Sequence, residues 1–127
     1  MIERISQENL EKILNNDIDQ ASRCMIKFYS NSCHYCHALK SHYESIAENA
    51  PEGVHFLAFN VDDTADDIEG KYGFQGVPSF CFVETGESPT VNFISEPEEP
   101  HATTWYALEY IQDFVTKSVG HSQGTVR

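Results

Sequence analysis

The sequence KFYSNSCHYCH, residues 27–37, places two cysteines, Cys33 and Cys36, three positions apart. They follow CMIKFYS (24–30), a short apolar and aromatic run that is typical of a strand buried on both faces. Three interpretations are open at this point: a redox pair, half of a metal site, or two core cysteines that lie close in sequence. The residues that follow the pair help to choose among them.

A predicted helix begins at the cysteine pair. Apolar residues keep helical spacing from there to PEG (51–53): Leu39, Tyr43, Ile46, Ala47 and Ala50. A cysteine at a helix N-terminus faces unpaired N–H groups, which lower a thiol pKa from about 8.5 to roughly 3.5–7.5. We therefore expect Cys33 to be the exposed attacking thiolate and Cys36, one turn further, to be the buried resolving cysteine.

Predicted strands and helices alternate along the rest of the chain. The elements are a helix at 6–18 capped by Ser6, strands at 24–30 and 54–61, a helix at 64–72 capped by Thr64 and ended by Gly73, hairpin strands at 79–83 and 90–94, and a helix at 103–119. Alternation predicts an α/β fold with a parallel sheet, to which the hairpin adds antiparallel strands. The cysteine pair then lies at the end of a central strand, where ligands bind.

We expect one domain over residues 1–119 and a flexible tail over residues 120–127. In the last helix, Trp105 is predicted to share an apolar side with Leu108, Ile111 and Val115. The acidic, proline-bearing segment 95–101 before it is interpreted as a solvated loop.

Composition excludes several classes of function. The net charge is −12 and the chain has only eight Lys and Arg residues, which weighs against nucleic acid as a partner. The N-terminal residues contain no apolar signal-peptide segment, and no run is long enough to span a membrane. We therefore expect a cytoplasmic protein, in which a close cysteine pair is catalytic or metal-binding rather than part of a disulfide framework.

Two segments together carry a family resemblance. IKFYSNSCHYCHALKSHYESIAE (26–48) and YGFQGVPSF (72–80) resemble the thioredoxin family, above all thioredoxins and the catalytic domains of protein disulfide isomerases. The resemblance implies a thioredoxin fold, with a mixed sheet of four or five strands flanked by helices. It also implies a cis bond before Pro78 and a substrate platform formed by Val77 and Pro78, where an extended substrate strand would pair with the Val77 backbone.

The resemblance further implies a protein thiol–disulfide oxidoreductase with Cys33 and Cys36 as its redox pair. Such an enzyme reduces protein disulfides, or forms or isomerises them, and needs no bound cofactor. Its partners would be disulfide-containing proteins and an electron donor, either a thioredoxin-reductase-type enzyme or glutathione. We expect it to be monomeric. The alternatives are a non-catalytic binding module with the same fold and a protein that binds a metal or an iron–sulfur cluster.

The metal alternative lacks ligands within this chain. A structural zinc site needs four ligands, and Cys33, Cys36 and His37 supply at most three. An iron–sulfur cluster would likewise need ligands from outside the chain. We therefore predict no metal. Cys24 and Cys81 fall within predicted strands and are interpreted as buried, unreactive thiols.

Several residues depart from the family pattern. Ser32 replaces a substrate-contacting tryptophan, His34 and Tyr35 form an unusual spacer, and Ser41 replaces a helix-kinking proline. His34 and Tyr35 are therefore candidates for tuning the redox pair. Tyr29, at the end of the strand, either packs in the core or forms a wall of the substrate groove.

Lys27 replaces the buried acid of the family. It either extends its ammonium to the protein surface, pairs with Asp62, or acts as a cation beneath the cysteine pair. In the last case it would stabilise the thiolate and make the disulfide more oxidising.

Overall fold

The computed structural model describes residues 2–124, and side chains for residues 2–120. Within this range five strands form one mixed sheet, and four α-helices cover its faces. In chain order the elements are β1 (Glu3–Arg4), α1 (Gln7–Leu14), β2 (Ser22–Tyr29), α2 (His34–Glu48), β3 (Val54–Asn60), α3 (Ile68–Tyr72), β4 (Ser79–Thr85), β5 (Thr90–Phe93) and α4 (Leu108–Gly124). None of the described helices is long and apolar enough to cross a membrane.

The strand order across the sheet is β1–β3–β2–β4–β5. The strands β1, β3 and β2 are mutually parallel, whereas β4 runs antiparallel to both β2 and β5. The predicted mixed sheet is therefore confirmed, with β2 at its centre. Because β2 and β4 are antiparallel, Phe28 at the end of β2 pairs with Ser79 at the start of β4.

The sheet has a hydrophobic core on each face. On one face, Met25 and Phe80 pack with residues of α2 and α4 such as Leu39 and Ile111. On the other face, strand residues pack with α1 and α3: Cys24, Ile26, Phe28, Leu57, Phe59, Cys81, Leu10 and Ile68. Side chains alternate between faces along a strand, so Lys27 points to the same face as Met25, the face covered by α2.

Several elements differ from the predictions, and α1 ends at Leu14 rather than at residue 18. The N-cap of α3 is Asp67, whose side chain accepts a hydrogen bond from the Gly70 N–H, so the prediction of Thr64 was wrong. The last helix begins at Leu108 rather than residue 103 and continues to Gly124. The edge strand β1 was not predicted. Residues 125–127 of the predicted tail lie outside the described residues.

Candidate active site

The cysteine pair lies where β2 leads into α2. Cys33 is the N-cap of α2 and is disulfide-bonded to Cys36. The N–H of Cys36 donates a hydrogen bond of 3.1 Å to Cys33 Sγ. The preceding loop is fixed by Asn31, whose N–H donates to Asp62 and whose side-chain oxygen accepts from Asn60. The loop and helix together therefore hold Cys33 at the positive end of the helix.

The two cysteines differ in their exposure to solvent. Cys33 is partly exposed, whereas Cys36 is only 2% exposed. An attacking sulfur must be reachable by a substrate, and a resolving sulfur needs to reach only its neighbour. The arrangement suits Cys33 as the attacking sulfur and Cys36 as the resolving sulfur.

Lys27 contacts the backbone of Cys36. Its side chain is buried, and Nζ donates a hydrogen bond of 3.0 Å to the carbonyl oxygen of Cys36. The pKa of Lys27 is lowered to about 8, mainly by burial and to a lesser degree by the nearby charge of Lys40, whereas Glu44 opposes both effects. The alternative pairing with Asp62 is wrong, because the Asp62 carboxylate accepts from the loop instead.

A pocket of about 250 Å³ lies behind Cys36, on the α2 side of the sheet. Its lining includes charged or titratable groups from β1, β2 and α2: Arg4, Lys27, Tyr29, His37, Lys40, Tyr43 and Glu44. The Lys27 ammonium lies 5.7 Å from the ring centroid of Tyr29 and 5.8 Å from that of Tyr43. The rings and the Cys36 carbonyl together offset part of the cost of burying this charge.

Val77 and Pro78 lie immediately before β4, and the peptide bond between them is cis. Because Phe28 pairs with Ser79, both residues lie at the end of the sheet from which Cys33 emerges. Val77 is half-buried and Pro78 is buried. Both residues therefore lie where a substrate platform was expected, and their role in binding substrate stays a prediction.

The other predicted site residues surround the pair. Ser32 is exposed, and Tyr29 is half-buried against the pocket. His34 is exposed, and its ring lies 4.1 Å from that of Tyr35, measured between centroids. The spacer therefore presents two adjacent rings at the start of α2.

Trp105 is a site residue that the sequence analysis placed wrongly. It lies in the loop before α4, not on the helix, and its ring is 5.6 Å from that of Tyr35. Its Nε1–H donates to Glu96, a residue of the segment interpreted as a solvated loop. Pro97 and Pro100 in the preceding sequence indicate an extended connection, but no pattern shows that it folds back onto the spacer.

Neither His37 nor the remaining cysteines complete a metal site. His37 Nε2 lies 2.8 Å from the Asn31 carbonyl oxygen, and among the described residues no cluster of His, Cys, Asp and Glu could hold a metal ion. Cys24 and Cys81 are free and buried, as expected, and burial raises the pKa of both thiols. They are poor nucleophiles in consequence.

The Thioredoxin family model matches residues 1–103. Thioredoxin-1 of Caenorhabditis elegans is 28% identical over 94 residues, which cover 69% of this chain and 80% of that protein. Protein disulfide-isomerase A3 of Gallus gallus is 26% identical over 80 residues, or 63% of this chain. The match covers only 15% of that isomerase.

Solved thioredoxin structures have the same fold. Chloroplastic thioredoxin z superposes with a TM-score of 0.64 and 19% identity, covering 91% of this chain and 92% of that one. The Malassezia sympodialis thioredoxin gives a TM-score of 0.65 at 17% identity, covering 92% of this chain and 90% of that one.

Proposed function

Because the chain belongs to the thioredoxin family, we propose that it is a thiol–disulfide oxidoreductase acting on disulfides of other proteins. One observation carries the proposal: the Cys33–Cys36 disulfide lies at the N-terminus of α2, with Cys33 partly exposed and Cys36 buried. The N–H of Cys36 that contacts Cys33 Sγ also stabilises a negative charge on that sulfur once the pair is reduced.

In the proposed reaction, the Cys33 thiolate attacks one sulfur of a substrate disulfide. A Cys33–substrate bond forms, the substrate bond breaks, and the departing sulfur takes up a proton. Cys36 then loses its proton and attacks Cys33 Sγ, which releases the second substrate sulfur as a thiol. Two electrons pass from the enzyme dithiol to the substrate. Run in reverse, the same steps donate the Cys33–Cys36 disulfide to a substrate dithiol.

Variants of the two cysteines test the order of attack. Cys36→Ser should accumulate a mixed disulfide between Cys33 and insulin, visible on non-reducing gels, because nothing resolves the intermediate. Cys33→Ser should trap none, and both variants should lose turnover of insulin disulfides. Cys24→Ala is the matched control and should keep the activity, since its thiol lies outside the pair.

Other outcomes would remove the assignment. Trapping by Cys33→Ser would reverse the roles of the two cysteines. Wild-type protein that neither reduces insulin nor cycles between dithiol and disulfide would favour a binding module with the same fold.

The electron donor and the setting are also part of the proposal. In a reducing cytoplasm, a thioredoxin-reductase-type enzyme or glutathione would return the oxidised pair to the dithiol form in a monomeric protein. In one assay a thioredoxin-reductase-type enzyme is supplied with NADPH, and in the other glutathione is supplied with glutathione reductase and NADPH. NADPH consumption during insulin reduction identifies which donor serves. If insulin is reduced with neither of the two donor systems, both donors are excluded.

A further inference from the structure

The connection between β5 and α4 is a fixed segment that contacts Tyr35, in the spacer between the two cysteines. We name residues 94–107 the Trp105 loop. Its two ends are anchored in the core by Ile94 and Tyr106, of which Tyr106 is fully buried with its ring 5.8 Å from that of Phe80. The hydroxyl of Thr104 donates 2.7 Å to the carbonyl of Tyr106. The loop is therefore built into the protein by side chains of its own.

The Trp105 backbone is held in an unusual conformation. Its φ is 65°, in the left-handed region that residues with bulky side chains rarely adopt. Two hydrogen bonds with His101, of 2.9 and 3.0 Å, fix the backbone. Glu96 fixes the side chain, because its two oxygens accept from Trp105 Nε1–H at 3.0 Å and from the Tyr106 hydroxyl at 3.3 Å. An energetically unfavourable conformation is thus maintained by at least four contacts.

These contacts hold the indole ring against Tyr35, in the spacer between the two cysteines. Trp105 is half-buried and packs edge-to-face on Tyr35, which lies between Cys33 and Cys36 in the chain. Tyr35 in turn packs on His34. Three rings in successive contact therefore extend from His34, which follows Cys33 in the chain, to Trp105, whereas Ser32 before Cys33 offers no ring.

We propose that Trp105 is a substrate-positioning residue, forming one wall of the groove that receives the protein segment carrying the target disulfide. The proposal rests on the oxidoreductase function above. A partly exposed aromatic ring can recognise an apolar or aromatic side chain adjacent to the substrate cysteine. Small disulfides do not extend beyond Cys33 and would not use this wall.

Kinetics of Trp105→Ala with two substrates test the proposal. We expect kcat/KM for insulin to fall about tenfold, since losing a buried aromatic contact costs on the order of 1.4 kcal/mol. Activity toward hydroxyethyl disulfide should change less than twofold, and the redox potential should stay the same. Trp105→Phe, which keeps a ring, should retain most of the insulin activity. Val91→Ala, which removes an exposed apolar side chain of β5 outside the Trp105 loop, is the control and should keep the insulin activity.

Two results would overturn the proposal. Unchanged insulin kinetics in a folded Trp105→Ala protein would show that substrates do not touch the ring. An equal loss with both substrates would show that the loop acts through the cysteine pair. Both differ from failure of the proposed function, in which wild-type protein reduces neither substrate.

A second measurement avoids altering the loop, because Trp105 is the chain's single tryptophan. The Cys36→Ser protein can be trapped with a disulfide peptide that has Phe next to its cysteine, or with a matched peptide that has Gly there. We expect acrylamide quenching of the Trp105 emission to fall with the Phe peptide and to stay near the free value with the Gly peptide. Equal quenching with the two peptides would contradict contact between Trp105 and the substrate side chain.

Discussion

Burial of the Lys27 ammonium lowers the stability of the folded protein. The alternation of β2 directs the Lys27 side chain into the core, where only 5% of the residue is exposed. The ammonium retains one hydrogen bond, to the Cys36 carbonyl, and faces the ring of Tyr43. A pKa lowered from 10.5 to about 8 means that the folded protein holds this charge less readily than the unfolded chain.

The first prediction at this scale concerns stability and pH. Below about pH 8 the folded protein carries the buried charge, whereas between about pH 8 and 10.5 only the unfolded chain keeps the proton, so stability rises with pH in that window. Lys27→Met should unfold at higher urea than wild type at pH 7. The amount by which its free energy of unfolding exceeds that of wild type should decrease by about 2 kcal/mol between pH 7 and pH 9.5. Lys12→Met, on the surface of α1, should show no such decrease.

A difference in unfolding free energy between Lys27→Met and wild type that stays constant from pH 7 to pH 9.5 would contradict a lowered Lys27 pKa.

The variant also probes redox tuning, since a cation near the pair stabilises thiolate and makes the disulfide more oxidising. Lys27→Met should therefore have a higher Cys33 pKa and a more negative potential, by about 30 mV for each 1.4 kcal/mol. If neither changes, the His34–Tyr35 spacer sets the potential.

At the scale of elements, α2 and the sheet are joined by a buried side chain. The Tyr43 hydroxyl lies 3.0 Å from the carbonyl oxygen of Met25 in β2 and 2.9 Å from that of Leu57 in β3. One helix residue therefore contacts two neighbouring strands. Because the cysteines lie on the first turn of the same helix, the docking of α2 also sets where they stand relative to the sheet.

Tyr43→Phe tests the contribution of this hydroxyl. We expect the free energy of unfolding to fall by about 1–2 kcal/mol, because a buried hydrogen bond is lost while the ring remains. Tyr110→Phe is the matched control: its hydroxyl donates to the Ser95 carbonyl at the surface, where water can replace it, so we expect less than about 0.5 kcal/mol. If urea denaturation shows the same loss of unfolding free energy for Tyr43→Phe and Tyr110→Phe, burial of the Tyr43 hydroxyl does not increase its contribution to stability.

Most elements could be predicted because their patterns are local. The apolar run in β2 and the helical spacing after Cys33 depend on neighbouring residues, so they identified the sheet and the position of the pair. The strand β1 has two exposed residues and exists only because it pairs with β3, which no local pattern reveals. Thr64 and Asp67 are both residue types that cap helices well, and the N-cap is Asp67 because the helical backbone begins only at Ile68.

The part of the site that was missed depends on distant contacts. Trp105 follows a polar stretch and precedes a helix, so its spacing fits an apolar helical face. Its actual position depends on Glu96 and Tyr35, which are nine and seventy residues away in the chain. Contacts of this kind override local preference, and composition gives no sign of them.

At the scale of the whole molecule, the net charge of −12 gives the protein an acidic long-range field. Basic residues are local exceptions, since Arg4, Lys27 and Lys40 line the pocket behind Cys36 together with Glu44. A field of one sign raises the local concentration of oppositely charged substrates and lowers that of like-charged ones. Salt reduces both effects, with a screening length of about 30 Å at 0.01 M and about 10 Å at 0.1 M.

The charge state of a small disulfide should therefore decide how its reduction responds to salt. Between about 0.01 M and 0.1 M NaCl, the second-order rate constant should rise for anionic glutathione disulfide, because repulsion is screened. It should fall for cationic cystamine and stay constant for neutral hydroxyethyl disulfide, which controls for direct effects of salt on the thiolate. Stopped-flow oxidation of the reduced protein measures all three rates. If the three rates change in parallel, salt acts on Cys33 itself and the acidic surface does not steer substrates.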